Sequence, residues 1–179
     1  MDEHIIDPAV AEKLEDESRY RYVSREELLE HVDPGDTVVE IGSGTGFFTD
    51  DLASKAKKVY AVDLQEEMHQ YYRDKGVPEN VELIQSRASE LEVEHADTIF
   101  SIFSFHELDV AAAVKNLAEV IDDGELVVFD WSRSGSGDHG PPPNKRFSAE
   151  TAAEKVSEHF DVEEAVERED SFKLVAKTR

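Results

Sequence analysis

Cysteine is absent from the 179 residues. Without a thiol there is no disulfide, no thiolate metal site and no covalent thiol chemistry. Positive charge is scarce as well: 19 lysines and arginines stand against 42 aspartates and glutamates, a formal net charge of −23. A surface so poor in cations disfavours contact with phosphate backbones, so nucleic acid is not an expected partner. No apolar run approaches the ~18 residues that a membrane span needs, and no basic-then-apolar leader opens the chain. Membrane attachment and secretion are therefore not expected, and the expected location is cytoplasmic. Such charge could mean disorder, but the apolar periodicity is too regular for that. It reads instead as a surface adapted to high salt, where screening removes the self-repulsion, and the expected source is a halophile.

What is present is organised around residues 37–48, TVVEIGSGTGFF. Val38, Val39 and Ile41 are β-branched and follow a turn signal, Pro34-Gly35-Asp36, so they read as a short buried strand. Gly42, Gly44 and Gly46 then let the backbone bend where a Cβ would clash. Phe48, Leu52 and Ala56 recur at helical spacing, completing a strand, glycine loop and helix. This unit places bare backbone and a helix N-terminus against a ligand at the strand's carboxyl end. A dinucleotide fingerprint G-x-G-x-x-G is not met, because from Gly42 its last position is Phe47. Glu40 at the strand's end would repel a pyrophosphate but could hold an ammonium, directly or through water. About twenty residues past the loop, the spacing of a ribose-binding acid, the strand Val59-Tyr60-Ala61-Val62 ends in Asp63.

Together, E-I-G-S-G-T-G and V-Y-A-V-D resemble the first two motifs of class I S-adenosylmethionine-dependent methyltransferases. The resemblance implies an α/β fold: a Rossmann-like, doubly wound, mostly parallel seven-stranded sheet with a C-terminal antiparallel hairpin. It implies S-adenosyl-L-methionine as cofactor, with Glu40, Gly42, Ser43, Gly44, Thr45, Gly46 and Phe47 around the methionine part. Asp63 and Leu64 would meet the ribose, and Arg87, Ala88 and Ser104 the adenine side. Family members often carry an acid followed by alanine where this chain has Arg87-Ala88, so the resemblance leaves backbone amide donors to serve as the adenine contact in the acid's place. The run from F-H-E-L-D through F-D-W to G-P-P-P-N-K-R resembles small methyltransferases of the ubiquinone/menaquinone-biosynthesis type. The likeness extends over about residues 24–178.

The chain divides into an N-terminal helical lid segment, 1–33, and a methyltransferase domain, 34–179. Asp7-Pro8 signals a helix start, with Val10 and Leu14 as its apolar face. Arg19-Tyr20-Arg21-Tyr22 reads either as a packing strap or as a lid, and Ser24 with Glu27 as a capping box for a helix bearing Leu28, Leu29 and Val32. Met68, Tyr71 and Tyr72 mark core positions of a helix ended by Gly76 and Pro78, and Val81, Leu83 and Ile84 a third strand. A fourth strand covers 96–103, and a helix carries Val110, Ala113, Val114, Leu117, Ala118 and Ile121. A fifth strand covers 126–131. Residues 132–145, rich in glycine and proline, cannot be regular structure, and they read as a substrate lid with Tyr20, Tyr22, Trp131, Arg133 and Arg146, a mobile linker being the alternative. A helix with Ala152, Ala153, Val156 and Phe160 precedes two alternating strands about Glu169-Asp170-Ser171.

Methyl transfer from a sulfonium is a direct displacement, so alignment in a dry cleft carries most of it. His106, at a strand end facing the cleft, is the candidate base, bonding to a neighbouring backbone being its structural alternative. No metal site is expected. The acceptor is expected to be a small molecule: the base-stacking turn of nucleobase amine methyltransferases is missing at Ser104-Phe105-His106-Glu107. A cofactor-binding regulatory module remains open, since its motifs would look the same, and a nicotinamide oxidoreductase is disfavoured by Phe47 and Glu40.

Overall fold

The computed structural model describes residues 8–179. The helix-start signal at Asp7 lies outside them. Seven strands form one sheet: β1 (Thr37–Ile41), β2 (Lys58–Asp63), β3 (Val81–Gln85), β4 (Thr98–Ile102), β5 (Glu125–Trp131), β6 (Phe160–Glu167) and β7 (Ser171–Thr178). Their order is β3-β2-β1-β4-β5-β7-β6. The first five pair in parallel, and β7 inserts antiparallel between β5 and β6. This is the doubly wound sheet with a terminal antiparallel hairpin that the sequence implies.

Alternation along each strand divides the core into two layers. Val39 and Ile41 of β1, Ile99 of β4, and Leu126 and Val128 of β5 face one side, covered by α4 (Val110–Val120) and α5 (Ala149–Val156). Val38, Phe100, Ile102, Val127 and Phe129 face the other, where α1 (Arg25–Leu29) and α2 (Phe47–Ala53) supply Leu28, Phe48 and Leu52. Both faces of β4 are buried throughout, as a central parallel strand requires. The remaining helix, α3 (Glu66–Lys75), buries Met68 and Tyr72, while Tyr71 stays half-exposed rather than joining the core.

Local signals and outcome differ at three places. Residues Pro8–Glu15 form a 3-10 helix rather than an α-helix, and a second one, Glu17–Arg21, follows it. Ser24 caps α1 by accepting from the Glu27 amide at 3.1 Å. The Glu27 carboxylate does not return to the cap, because Arg168 at the β6–β7 turn binds it and ties the N-terminal segment to the hairpin. Phe160 opens β6 instead of closing α5. Among the described residues, no helix is long and apolar enough to cross a membrane.

Candidate active site

Strand order reverses beside β1, between β2 and β4, and in open α/β sheets such a switch leaves a crevice at the carboxyl ends. The glycine loop crosses it. Gly42 and Ser43 both donate to Val62 O, at 2.8 and 3.0 Å, which pulls the loop over the end of β2. Gly42 has φ 73° and lies so close to the turn after β4 that a Cβ would meet Ser104 Cβ at 2.4 Å. Ser104 fastens the two strand ends by donating to Ile41 O at 2.7 Å. Gly46, with φ 85°, abuts the Tyr72 ring, where a Cβ would come within 2.3 Å. Both positions therefore exclude any side chain.

The loop, the strap of residues 10–22 and the segment around residues 139–141 enclose a cleft of about 570 Å³. Its floor is acidic. Glu40 shares the Val38 face of β1, is 2 % exposed, and accepts a hydrogen bond from the Thr49 hydroxyl of α2. Burial, only partly opposed by Thr49 and Arg19, pushes its carboxyl pKa up to about 8. Asp63 accepts from the Gly44 amide at 2.8 Å and from the Gln65 amide at 2.9 Å. Its pKa is also raised, burial outweighing those donors. Ser43 Oγ and Thr45 Oγ1 are buried in the loop without a hydrogen-bond partner among the described residues. Unpaired buried hydroxyls are costly unless a ligand completes them, so the loop fits a polar ligand.

The strap forms the opposite wall. Arg19 lies over the Phe48 ring at 4.5 Å and the Phe47 ring at 5.2 Å, and donates to Leu14 O at 2.7 Å. Burial lowers its pKa to about 10 against the pull of Glu40. Tyr20 closes the strap onto α2 by donating to Asp51 at 2.6 Å, and Lys75 of α3 meets Glu15 at 2.9 Å.

On the side of β4 and β5, His106 and Asp130 meet. Asp130 is fully buried on the same face as Leu126 and Val128, and its carboxylate lies 2.8 Å from His106 Nδ1. It also accepts from the His106 amide at 2.7 Å and the Trp131 amide at 2.8 Å. Burial alone would lower the His106 pKa; the bond to Asp130 and the charges of Asp130 and Glu107 overcome this and raise it. Beside the pair stand Tyr22, Phe103 and Trp131, with Trp131 centred 4.6 Å from Tyr22 and 4.8 Å from Phe103. Phe103 holds φ at 57°, an unusual conformation for a bulky side chain at the end of β4.

Residues 39–129 match the family described as "Methyltransferase domain". The chain belongs to this methyltransferase family. By family it is an S-adenosylmethionine-dependent methyltransferase, as its two motifs imply. A SAM-dependent methyltransferase from Aquifex aeolicus is similar in structure with a TM-score of 0.87 and 30% identity, over 98% of this chain and 100% of that one. The N-methyltransferase NodS from Bradyrhizobium japonicum, solved with S-adenosyl-L-homocysteine, shares the fold at a TM-score of 0.70 and 18% identity, over 89% and 86% of the two chains. Among curated relatives, a probable ribosomal RNA small subunit methyltransferase A of Pyrococcus abyssi is 39% identical over 61 residues, 34% of this chain. That match spans only 23% of the relative's own length.

The cleft gathers Glu40, Gly42, Ser43, Gly44, Thr45, Asp63, Ser104, His106, Tyr22 and Trp131 from the residues singled out in the sequence. Leu64, Arg87 and Ala88 line a small adjoining crevice that shares Gly42, Asp63 and Ser104 with it, and Arg87 is exposed. Others lie elsewhere. Gly46 packs on Tyr72, and Phe47 lies 4.9 Å from Tyr20 under the strap. Arg133 is exposed on its loop and does not line the cleft. Arg146 is buried as a staple for residues 132–145, donating to Pro141 O at 2.7 Å, Ser132 O at 3.2 Å and His139 O. That loop is thus an ordered wall, with His139, Gly140 and Pro141 at the cleft. The sequence reading gave Arg19 to the strap or lid and Met68 to the core without placing either at the cleft, and gave Asp130 no role. For Asp130 a signal existed, an acid within the otherwise apolar run LVVFDW. Among the described residues no group of three histidines, aspartates or glutamates could hold a metal ion.

Proposed function

We propose that this chain transfers a methyl group from S-adenosylmethionine to a small-molecule acceptor held between the cofactor, the aromatic wall and His106. The observation that carries the cofactor half is the acidic glycine loop, with Glu40 beneath it, Asp63 beside it, and the Ser43 and Thr45 hydroxyls lacking partners. Glu40 and the loop would hold the amino-acid end, Asp63 and Leu64 the ribose, and the crevice at Arg87 and Ala88 the adenine. When bound, the cofactor supplies an electrophilic methyl group whose bond to sulfur breaks as the acceptor's lone pair takes it. The protein's part is to align the acceptor, exclude water and take up a proton where one must leave. The cleft volume lies in the range of sites that take small ligands. A net charge of −23 and a cleft roofed by two segments both speak for a small acceptor over RNA, as does the resemblance to ubiquinone/menaquinone-type enzymes. We assign residues 1–33 as the lid on the described strap of residues 10–22, and read the surface as that of a halophile's cytoplasmic protein.

Calorimetric titration of S-adenosylhomocysteine, with NADH as control, tests the reading in molar KCl. Binding of the former alone, weakened about tenfold or more by Asp63→Ala, is the expected result. Binding of NADH alone would overturn it, and cofactor binding with no turnover of any offered acceptor would favour a regulatory module instead.

A further inference from the structure

We propose that the methyl acceptor is an organic anion, its acidic group held by Arg21 at the mouth of the cleft and its apolar body laid on Tyr22, Phe103 and Trp131. This deepens the methyltransferase reading and rests on it. The cleft's distribution of charge carries the inference. Of the three carboxylates that line it among the described residues, Glu40 and Asp63 lie at the glycine loop, where they suit a cationic cofactor. The third, Glu107, stands 3.6 Å from His106 Nε2, and the buried Asp130 is committed to the same ring and to two backbone amides. The acids on the acceptor side are gathered on one imidazole. The strap's cations are matched differently: Lys13, Arg19 and Arg21 all line the cleft, and none forms a salt bridge among the described residues. The cofactor brings one carboxylate, and Arg19 is the cation beside its loop, since it donates to Leu14 O at 2.7 Å and Leu14 lies against Gly44. Arg21 stands at the other end, next to Tyr22, whose ring is centred 4.6 Å from Trp131 and 6.1 Å from His139. Its charge is left for the acceptor.

A second cation, behind the same wall, points the same way independently. Arg146 is 3 % exposed, and its guanidinium lies 5.7 Å from the Trp131 ring. Three backbone carbonyls take up its donors, two of them from His139 and Pro141 at the cleft. Carbonyls carry no net charge, and no carboxylate among the described residues forms a salt bridge with it. Asp170, which feels its field, spends a carboxylate oxygen on the Ser136 amide at 3.0 Å. Burying a charge without a counter-charge is costly. That charge is felt on the acceptor side, where it opposes protonation of His106. An anion on the aromatic wall would sit between an exposed guanidinium and a buried one and relieve the cost. An ammonium in the same place would meet two like charges.

The test uses four probes that share one ring: benzoate, phenyl phosphate, benzyl alcohol and benzylammonium. Each is titrated at neutral pH and one KCl concentration into full-length protein saturated with S-adenosylhomocysteine. The fluorescence of Trp131, the single tryptophan of the chain, reports binding at the acceptor wall. A net charge of −23 repels anions at long range, so a preference for them is local. At least one of the two anions should bind about tenfold or more tightly than the alcohol, and the ammonium more weakly than the alcohol. The tighter of the two anions tells a carboxylate from a phosphate. Arg21→Gln should cost the anions about tenfold and leave the alcohol within about twofold, and Arg21→Lys should recover part of the loss. Arg21 is exposed, so neither change threatens the fold. No binding of either anion, equal affinity for anions and alcohol, preference for the ammonium, or anion binding unchanged in Arg21→Gln overturns the inference. Loss of S-adenosylhomocysteine affinity in Arg21→Gln also overturns it, because Arg21 would then belong to the cofactor's carboxylate. Failure of S-adenosylhomocysteine to bind wild type overturns the methyltransferase reading beneath it and this inference with it.

Discussion

Glu40 is a carboxyl group that keeps its proton where most would have lost it. Burial holds its pKa near 8 in the folded chain, against 4.5 for an ordinary glutamate. A raised acid contributes stability that is fully present below about 4.5 and disappears as pH rises through 8, because only the folded state then holds the proton. Two outcomes are expected. Glu40→Gln should melt higher than wild type at pH 8 without ligand, and lie nearer to it at pH 5. S-adenosylhomocysteine brings an ammonium, which favours the ionised form, so binding at pH 7 should release up to about one proton. Titrations in buffers of different ionisation enthalpy read that proton directly. Heats that do not change with buffer would remove Glu40 from the binding site. Glu40→Gln should bind about tenfold or more weakly and release none. The same sign holds at His106, whose raised pKa means that its contribution to stability is also lost as pH rises through the folded value.

The glycine loop and the strap are the elements on which the site depends, and they differ in how readily they could be read. The loop is local: its turn residues, its β-branched strand and the acid of β2 are all stated within residues 37–63, so geometry and sequence agree. Gly46→Ala should cost about 3 kcal/mol, since it adds a strained positive φ to a collision with the fully buried Tyr72 ring, measurable by urea unfolding. The strap is tertiary. Its Arg-Tyr-Arg-Tyr run marks it as a strap or lid, but that Arg19 reaches the faces of Phe47 and Phe48, leaving Phe47 outside the cleft, depends on how the strap crosses α2. Arg146 illustrates the same limit. As a cation after a glycine-rich stretch it reads as a mobile substrate contact, and only the three carbonyls that converge on it make it a staple. If the strap is a lid, its hasp is Tyr20. Tyr20→Phe removes the donor to Asp51 and should speed dissociation of S-adenosylhomocysteine several-fold, for about 1–2 kcal/mol of lost closure. Stopped-flow displacement that shows no change would leave the strap a fixed wall.

At the scale of the molecule, carboxylates exceed cations by 23, so most of the surface acids stand without a positive partner. Several basic groups are also spent inside or beneath the surface: Arg19 on the phenylalanines, Arg146 on the loop carbonyls. Other pairs, such as Lys58 with Glu82 or Lys177 with Glu163, are exposed and individually worth little. Mutual repulsion therefore acts against the compact state in dilute buffer. Its range contracts from about 30 Å at 0.01 M salt to about 3 Å at 1 M, shorter than the spacing between many surface acids. The melting temperature should rise by several degrees on addition of KCl. The shape of that rise separates two causes. Screening is nearly complete by several tenths molar, so its contribution flattens there, whereas strengthened apolar burial would grow steadily with concentration. A curve steep below about 0.5 M and shallow above assigns the effect to the acidic surface. A straight line through molar KCl would assign it to the core, and a flat one would mean that the charge exerts no net strain on the fold.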